Sequence, residues 1–211
     1  VLDPRIGSSI VGHLLGAIAG PAIARGTSFL LGKEERALFD SAIVVRDEPH
    51  RPRGLRSRAF DGEGLPTAAR DIVADGRITG WLLDTASAKQ LGLEPTGHAS
   101  RGGGASGVSA SNLHLAAGSI TPDALIADID RGVYITELIG QGVNPVTGDY
   151  SRGASGFLIE GGRIAGPIAE FTIAGNLIDM FAALVPADDL VFRHGTNVPT
   201  LRIDGMTVAS S

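Results

Sequence analysis

The chain has no cysteine among its 211 residues, so disulfides and thiolate metal ligands are excluded. Aromatic residues make up 5% against 43% hydrophobic, so the core has to be built from Leu, Ile, Val and Ala. No apolar run is long enough to span a membrane, and no secretory leader is visible. No basic block stands out and the formal net charge is −5, which removes the electrostatic footprint of direct nucleic-acid binding. Regular βαβ alternation and internal repeats are also missing. What is plentiful is glycine, with 30 residues, beside 11 prolines, and this favours turns and strands over a helical bundle. The expected fold is α+β, a mostly antiparallel sheet, sandwich or barrel-like, with a few packed helices.

The stretch from Gly132 to Met180 organises the chain. Val133, Ile135 and Leu138 suit a strand, a turn-rich middle follows, and Gly156 to Glu160 reads as a second strand. Gly161-Gly162 makes a tight turn into a return strand, where Pro167 imposes an edge or a break. Between the strands, Thr147, Asp149, Tyr150, Ser151 and Arg152 put an acid, a base, hydroxyls and a phenol into a few residues. They read either as a solvated hairpin loop or as a loop that holds a ligand or a neighbouring chain.

Elsewhere, Ser8 to Ala24 has helical spacing, with Ser8 or Ser9 as cap and Pro21 ending or kinking it. Gly12, Gly16 and Gly20 recur every four residues and predict a close helix contact. Thr27 to Phe39 is a second candidate helix, Ala42 to Val45 a strand, and Arg70 to Leu83 a hairpin around Asp75-Gly76. Asp47 to Arg58 reads as an irregular solvated loop, with an arginine site for a carboxylate as the alternative. Asp61 and Glu63 suit an Asp-Gly turn, although such a pair can also do acid/base work. Thr85 to Leu91 predicts a short helix. Thr96 to Ser111 is a glycine-rich loop matching neither standard phosphate-loop spacing, and its His98 and Arg101 can face a ligand. Thr121-Pro122 starts a helix that Gly132 ends. Asn176 to Val185 is a further helix, and Asp188 to Phe192 and Thr200 to Val208 are strands.

Gly132 to Met180 closely resembles the C-terminal region of the TldD/PmbA family, also called modulator of DNA gyrase. Ser28-Phe29-Leu30, Phe60 to Gly64, Trp81 to Leu83, Leu91 to Leu93 and Thr96 to His98 fit the same pattern. The resemblance implies a cytoplasmic chain that is a C-terminal portion, residues 1–211, of a protein with a further N-terminal domain. In the catalytic TldD branch the helix corresponding to Ser8 to Ala24 carries a His-Glu-x-x-x-His zinc motif, and a cysteine ligand lies near the chain end. Here His13 is followed by Leu14, Leu15, Gly16, Ala17 and Ile18, without the glutamate or the second histidine. The resemblance therefore points to the PmbA/TldE branch: no catalytic residue, metal or cofactor in this chain, and zinc in a TldD-like partner subunit.

In that reading this chain helps to hold an extended peptide by strand addition at Gly156 to Glu160 or Ile168 to Thr172. Thr147, Asp149, Tyr150, Ser151, Arg152, His98 and Arg101 are the candidate contacts. Homodimers of the isolated chain are compatible with it. Two alternatives stand beside it. One is a free-standing metallopeptidase built from His13, His98, Asp61 and Glu63; the other is a regulatory module acting on DNA gyrase.

Overall fold

The computed structural model describes residues 1–101 and 107–210. The middle of the glycine-rich stretch, 102–106, lies outside the described residues.

The first helix, α1, runs Pro4–Ala17. It begins four residues earlier than Ser8 because Asp3 accepts from the Arg5 backbone N–H and Pro4 stands at the first turn. It also stops earlier, at Ala17. Leu82 N donates to Ile18 O and Gly20 N to Leu82 O, so the chain makes a strand-like bridge before α2, Gly20–Ala24. The expected helix over Thr27 to Phe39 is a series of turns. Gly32 has a φ of 73°, and Phe29 N donates to Pro145 O across the fold. Burying Phe29, Leu30, Leu38 and Phe39 into one core here overrides helical spacing.

The strands that follow are β1 (Val45–Asp47), β2 (Arg70–Ala74) and β3 (Arg77–Ile78). Helix α3 is Thr85–Leu91, as its spacing predicts, with Asp84 as N-cap and Gly92 closing it in the left-handed conformation. Short strands β4 (Ala99–Ser100) and β5 (Gly107–Val108) pair with each other, and β6 is Leu113–Leu115. Helix α4, Pro122–Ile126, is capped by Thr121 as expected but ends well before Gly132. That glycine already belongs to β7, Arg131–Ile139.

Strand β8, Asp149–Glu160, and β9, Arg163–Asn176, are longer than the sequence reading suggests. The residues 149–153 are therefore strand, not loop. Gly161 and Gly162 have φ of 53° and 75°, which suits the two-residue hairpin turn between these strands. Helix α5 is Leu177–Ala182 with Asn176 as N-cap. The chain finishes with β10 (Leu184–Pro186), β11 (Thr196–Asn197), β12 (Leu201–Ile203) and β13 (Thr207–Ser210). The expected strand at Asp188 to Phe192 does not form; Asp189 instead accepts from Thr200 N and Oγ1.

Two larger sheets result, in the orders β11-β6-β1-β2-β3 and β13-β9-β8-β7. Their pairing is antiparallel except β11 with β6. The fold is α+β, as expected, without a closed barrel. One core joins α1 to both sheets through residues such as Ile10, Leu14, Val45, Ile135 and Ile173. Three of the chain's few aromatics meet there: Phe39 stacks on Phe181 at 4.8 Å between ring centroids, and Phe29 lies 6.3 Å from Phe181. Offset contacts of this kind add about 1 kcal/mol beyond burial.

Strand β8 lies between β7 and β9, so residues 156–160 have both edges paired and cannot accept an added strand. On β9, residues 171–174 pair with β13. Pro167, without a donor, and Glu170, at φ 56°, interrupt the rest. Strand addition at either expected place is thereby disfavoured by the ladder itself.

Candidate functional site

α1 turns Gly7, Ile10, Val11, Leu14 and Ala17 inward. Its outer face carries Gly12 and Gly16, both exposed, and an added Cβ at either would meet nothing within 4 Å. The glycine repeat is thus not a helix contact at these two positions. Of the three only Gly20 is tight, with Ser87 Oγ and Leu83 Cδ2 standing against the place its Cβ would take.

Beside this bare face a pocket of about 280 Å³ is lined by Gly12, His13, Gly16, Phe29, Gln141 and Val143, among others. Tyr150 is 1% exposed, and its ring meets the His13 ring edge-on at 5.9 Å. Neither Tyr150 Oη nor His13 Nε2 has a hydrogen-bond partner among the described residues, although both atoms are buried. An unmet buried polar group costs roughly 1–3 kcal/mol, so two on adjoining rings mark a place where packing alone did not decide the residues. Burial, helped by the nearby Arg152 charge, pushes the His13 imidazole below its ordinary value. Burial pushes the Tyr150 phenol up. At neutral pH both are uncharged, one a hydroxyl donor and the other able to accept.

The pleat of β8 separates the residues the sequence grouped. Tyr150 points inward while Ser151 is exposed. Arg152 shares Tyr150's face, its charge acts on both Tyr150 and His13, and its Nε donates to Ile139 O at 3.3 Å. Thr147 and Asp149 are engaged with each other and with Asn176: Thr147 Oγ1 donates to Asp149 at 2.6 Å, and Asn176 Nδ2 donates to Asp149 at 3.2 Å. Those two bonds hold the Asp149 carboxyl below its usual range. They clamp the β8 entry to the start of α5.

His98 lies elsewhere, 3% exposed, with Nε2 3.4 Å from Asp47 and Nδ1 2.9 Å from Thr96 Oγ1. Asp47 also accepts from the backbone N–H of Ser111 at 2.9 Å and from its hydroxyl at 2.5 Å. Burial alone would raise the Asp47 carboxyl, but the bonds from His98 and Ser111 outweigh it and hold it low. This cluster ties both stems of the glycine-rich stretch to β1. Arg101 is exposed at the edge of that stretch.

The residues of the metallopeptidase alternative do not converge. Asp61 accepts the backbone N–H groups of Glu63, Leu65 and Ala99, and Glu63 holds Thr85 at the start of α3. Among the described residues no group of three or more His, Asp or Glu could hold a metal ion. If the zinc motif is placed with His13 as its second histidine, Ser8 and Ser9 occupy the histidine and glutamate positions. In either alignment the residues on α1 do not fit zinc. Nor does the arginine-rich stretch form a carboxylate site: Arg51 pairs with Glu48 and covers the Phe192 ring at 3.3 Å, and Arg58 binds Ser109.

The fold is an α+β domain in which a pocket lies against a helix that carries a single histidine, His13. The C-terminal domain family described as PmbA/TldA metallopeptidase matches residues 1–210, and the chain belongs to this family. It is 39% identical over 206 residues to the metalloprotease PmbA of Escherichia coli O157:H7, covering 97% of this chain and 44% of that protein. Against the PmbA homologue of Haemophilus influenzae it is 39% identical, covering 98% and 44%. Among solved structures, TldE from Thermococcus kodakarensis superposes with a TM-score of 0.87 at 27% identity, covering 99% of this chain and 49% of that one. A candidate modulator of DNA gyrase from Bacteroides thetaiotaomicron superposes at 0.89 with 31% identity, covering 100% and 46%. The chain therefore spans less than half the length of these relatives. No helix among the described residues is long and apolar enough to cross a membrane.

Proposed function

We propose that this chain is the C-terminal domain of a non-catalytic, PmbA/TldE-type subunit that holds peptide for a TldD-like partner. The observation that carries this reading is α1. Where the catalytic branch needs two histidines and a glutamate on one helix, this helix offers His13 with Ser8, Ser9, Leu14 and Leu15. A metal-bound hydroxide cannot be generated without the ligand set. In this reading zinc and hydrolysis belong to the partner subunit of a cytoplasmic heterodimer, and the N-terminal domain lies outside this chain. The complex acts in proteolysis or peptide maturation. The contribution of this chain is a wall with a pocket lined by Gly12, His13 and Gly16, with the buried Tyr150 ring behind His13 and the Arg152 charge close by.

The test is zinc content and peptidase activity of the protein alone and mixed with a TldD-type partner. The expected result is neither metal nor cleavage alone, with cleavage appearing in the mixture. Stoichiometric zinc and cleavage by the protein alone would overturn the proposal.

A further inference from the structure

Two glycines in the middle of a helix cost about twice the roughly 1 kcal/mol that each costs against alanine. In α1 no packing explains them, because nothing lies within 4 Å of a Cβ at Gly12 or Gly16. Their absent side chains leave the helix backbone open to whatever lies on it. Arg5, Gly12 and Gly16 are all exposed, and at 3.6 residues per turn they fall within about 20° of one line along the helix. At one end of that line Gly12 and Gly16 themselves line the pocket beside His13. At the other end is a second pocket of about 490 Å³, lined by Pro4, Arg5, Asp189, Arg193, His194 and Thr196, among others.

The second pocket offers donors without matching acceptors. Both oxygens of Asp189 are taken by Thr200, at 2.8 and 2.7 Å. Asn197 Oδ1 accepts from the backbone N–H groups of Arg193 and His194, and its Nδ2 donates to His194 O. Asp3 caps α1 and pairs with Arg5 through Nε at 2.8 Å and Nη2 at 3.2 Å, which leaves Arg5 Nη1 unused. The side chains of Arg193, His194 and Thr196 make no hydrogen bond with the described residues. A guanidinium fork beside a hydroxyl and an imidazole matches a carboxylate.

We propose that the outer face of α1 seats an extended peptide with a free C-terminus. Its carboxylate sits at Arg193, Arg5 and His194, and its chain runs along the helix into the pocket lined by Gly12, His13 and Gly16. This rests on the peptide-holding reading above and adds to it a polarity and a length. From Arg5 to Gly16 is about 16 Å at 1.5 Å per residue, the span of roughly five extended residues. His13 stands at the far end of that span, in the lining of the pocket.

The experiment uses a labelled hexapeptide in two forms, free acid and C-terminal amide, titrated by fluorescence anisotropy. The proteins are wild type, Arg193→Gln and Gly16→Leu. A Cβ at position 16 meets nothing within 4 Å and leucine is the better helix former, and a thermal melt of this variant checks that it is folded. The expected result is that the acid binds wild type at least tenfold more tightly than the amide, that Arg193→Gln erases the difference, and that Gly16→Leu weakens both. Equal binding of acid and amide to wild type, with Gly16→Leu still weakening both, would overturn the carboxylate anchor and leave the peptide-holding reading intact. A preference for the acid that survives Arg193→Gln would also overturn the anchor. If neither peptide binds wild type, both proposals fall.

Discussion

Replacing Gly12 and Gly16 together by alanine isolates the physical claim on which the site depends. Each glycine lies inside a 14-residue helix, exposed, with nothing within 4 Å of the added methyl. The substitution therefore introduces no clash and removes backbone freedom from the unfolded chain. Its expected gain is about 0.5–1 kcal/mol per site, or about 1–2 kcal/mol for the pair. In a chain of this size each kcal/mol moves the melting midpoint by about 2–4 °C, so the double variant should melt about 2–8 °C higher. Helix α1 contains its own control. At Gly7 the added methyl would stand 3.1 Å from Val198 Cγ2 and 3.2 Å from Leu201 Cδ1, inside the core. Gly7→Ala should therefore lower the midpoint while Gly12→Ala and Gly16→Ala raise it. Thermal melts by circular dichroism, with urea titration for the free energies, read all three. A loss of stability in the Gly12/Gly16 variant would refute the reasoning, because it would mean that this face is packed against something in solution.

Tyr150→Phe removes a buried hydroxyl with no partner, so stability should stay level or rise by up to about 1 kcal/mol; a fall beyond about 1 kcal/mol in urea melts would reveal a partner for that oxygen. Asp47→Ala should cost about 2–4 kcal/mol, since it strands the buried His98 and Ser111 groups, and a loss under about 1 kcal/mol would remove Asp47 from its role as staple. His13 is held below its ordinary value of 6.5 by burial, so the unfolded chain takes up a proton that the folded one resists. Stability is unaffected well above pH 6.5 and falls as the pH drops below it. His13→Gln should flatten that fall between pH 7 and 5, and an unchanged slope would place the effect on another group, such as the similarly depressed His114.

Local rules read well where the controlling contacts are local. Thr121-Pro122 at α4, the Asp75-Gly76 turn, Gly161-Gly162 and the short helix before Gly92 all form where turn and cap chemistry puts them. The start of α1 was also legible, since Asp3-Pro4 is a cap followed by a first-turn proline. Ser8 and Ser9, expected to cap, lie inside the helix, where Ser8 Oγ donates to Arg5 O. Thr27 to Phe39 failed because its apolar residues are used by a distant core partner, Phe181, and not by a helix face. Asp149 to Arg152 looked like a loop because its polar residues outnumber the apolar ones, while pairing with residues 173–176 of β9 makes it strand.

Composition and spacing by themselves determined the class: an aliphatic, cysteine-free α+β chain with antiparallel hairpins and a lone His13 on its first helix. These follow from turn geometry, alternation and ligand count, which are properties of neighbouring residues. Only the tertiary structure decided that Tyr150 points inward against His13 and Ser151 outward, that Thr147 and Asp149 are spent on Asn176, and that Gly12 and Gly16 face open space. Each of these depends on which element lies across from the residue. The same glycine spacing is bare at positions 12 and 16 and tightly packed at position 20, because α2 presses its Gly20 against α3 while among the described residues nothing lies within 4 Å of a Cβ at Gly12 or Gly16.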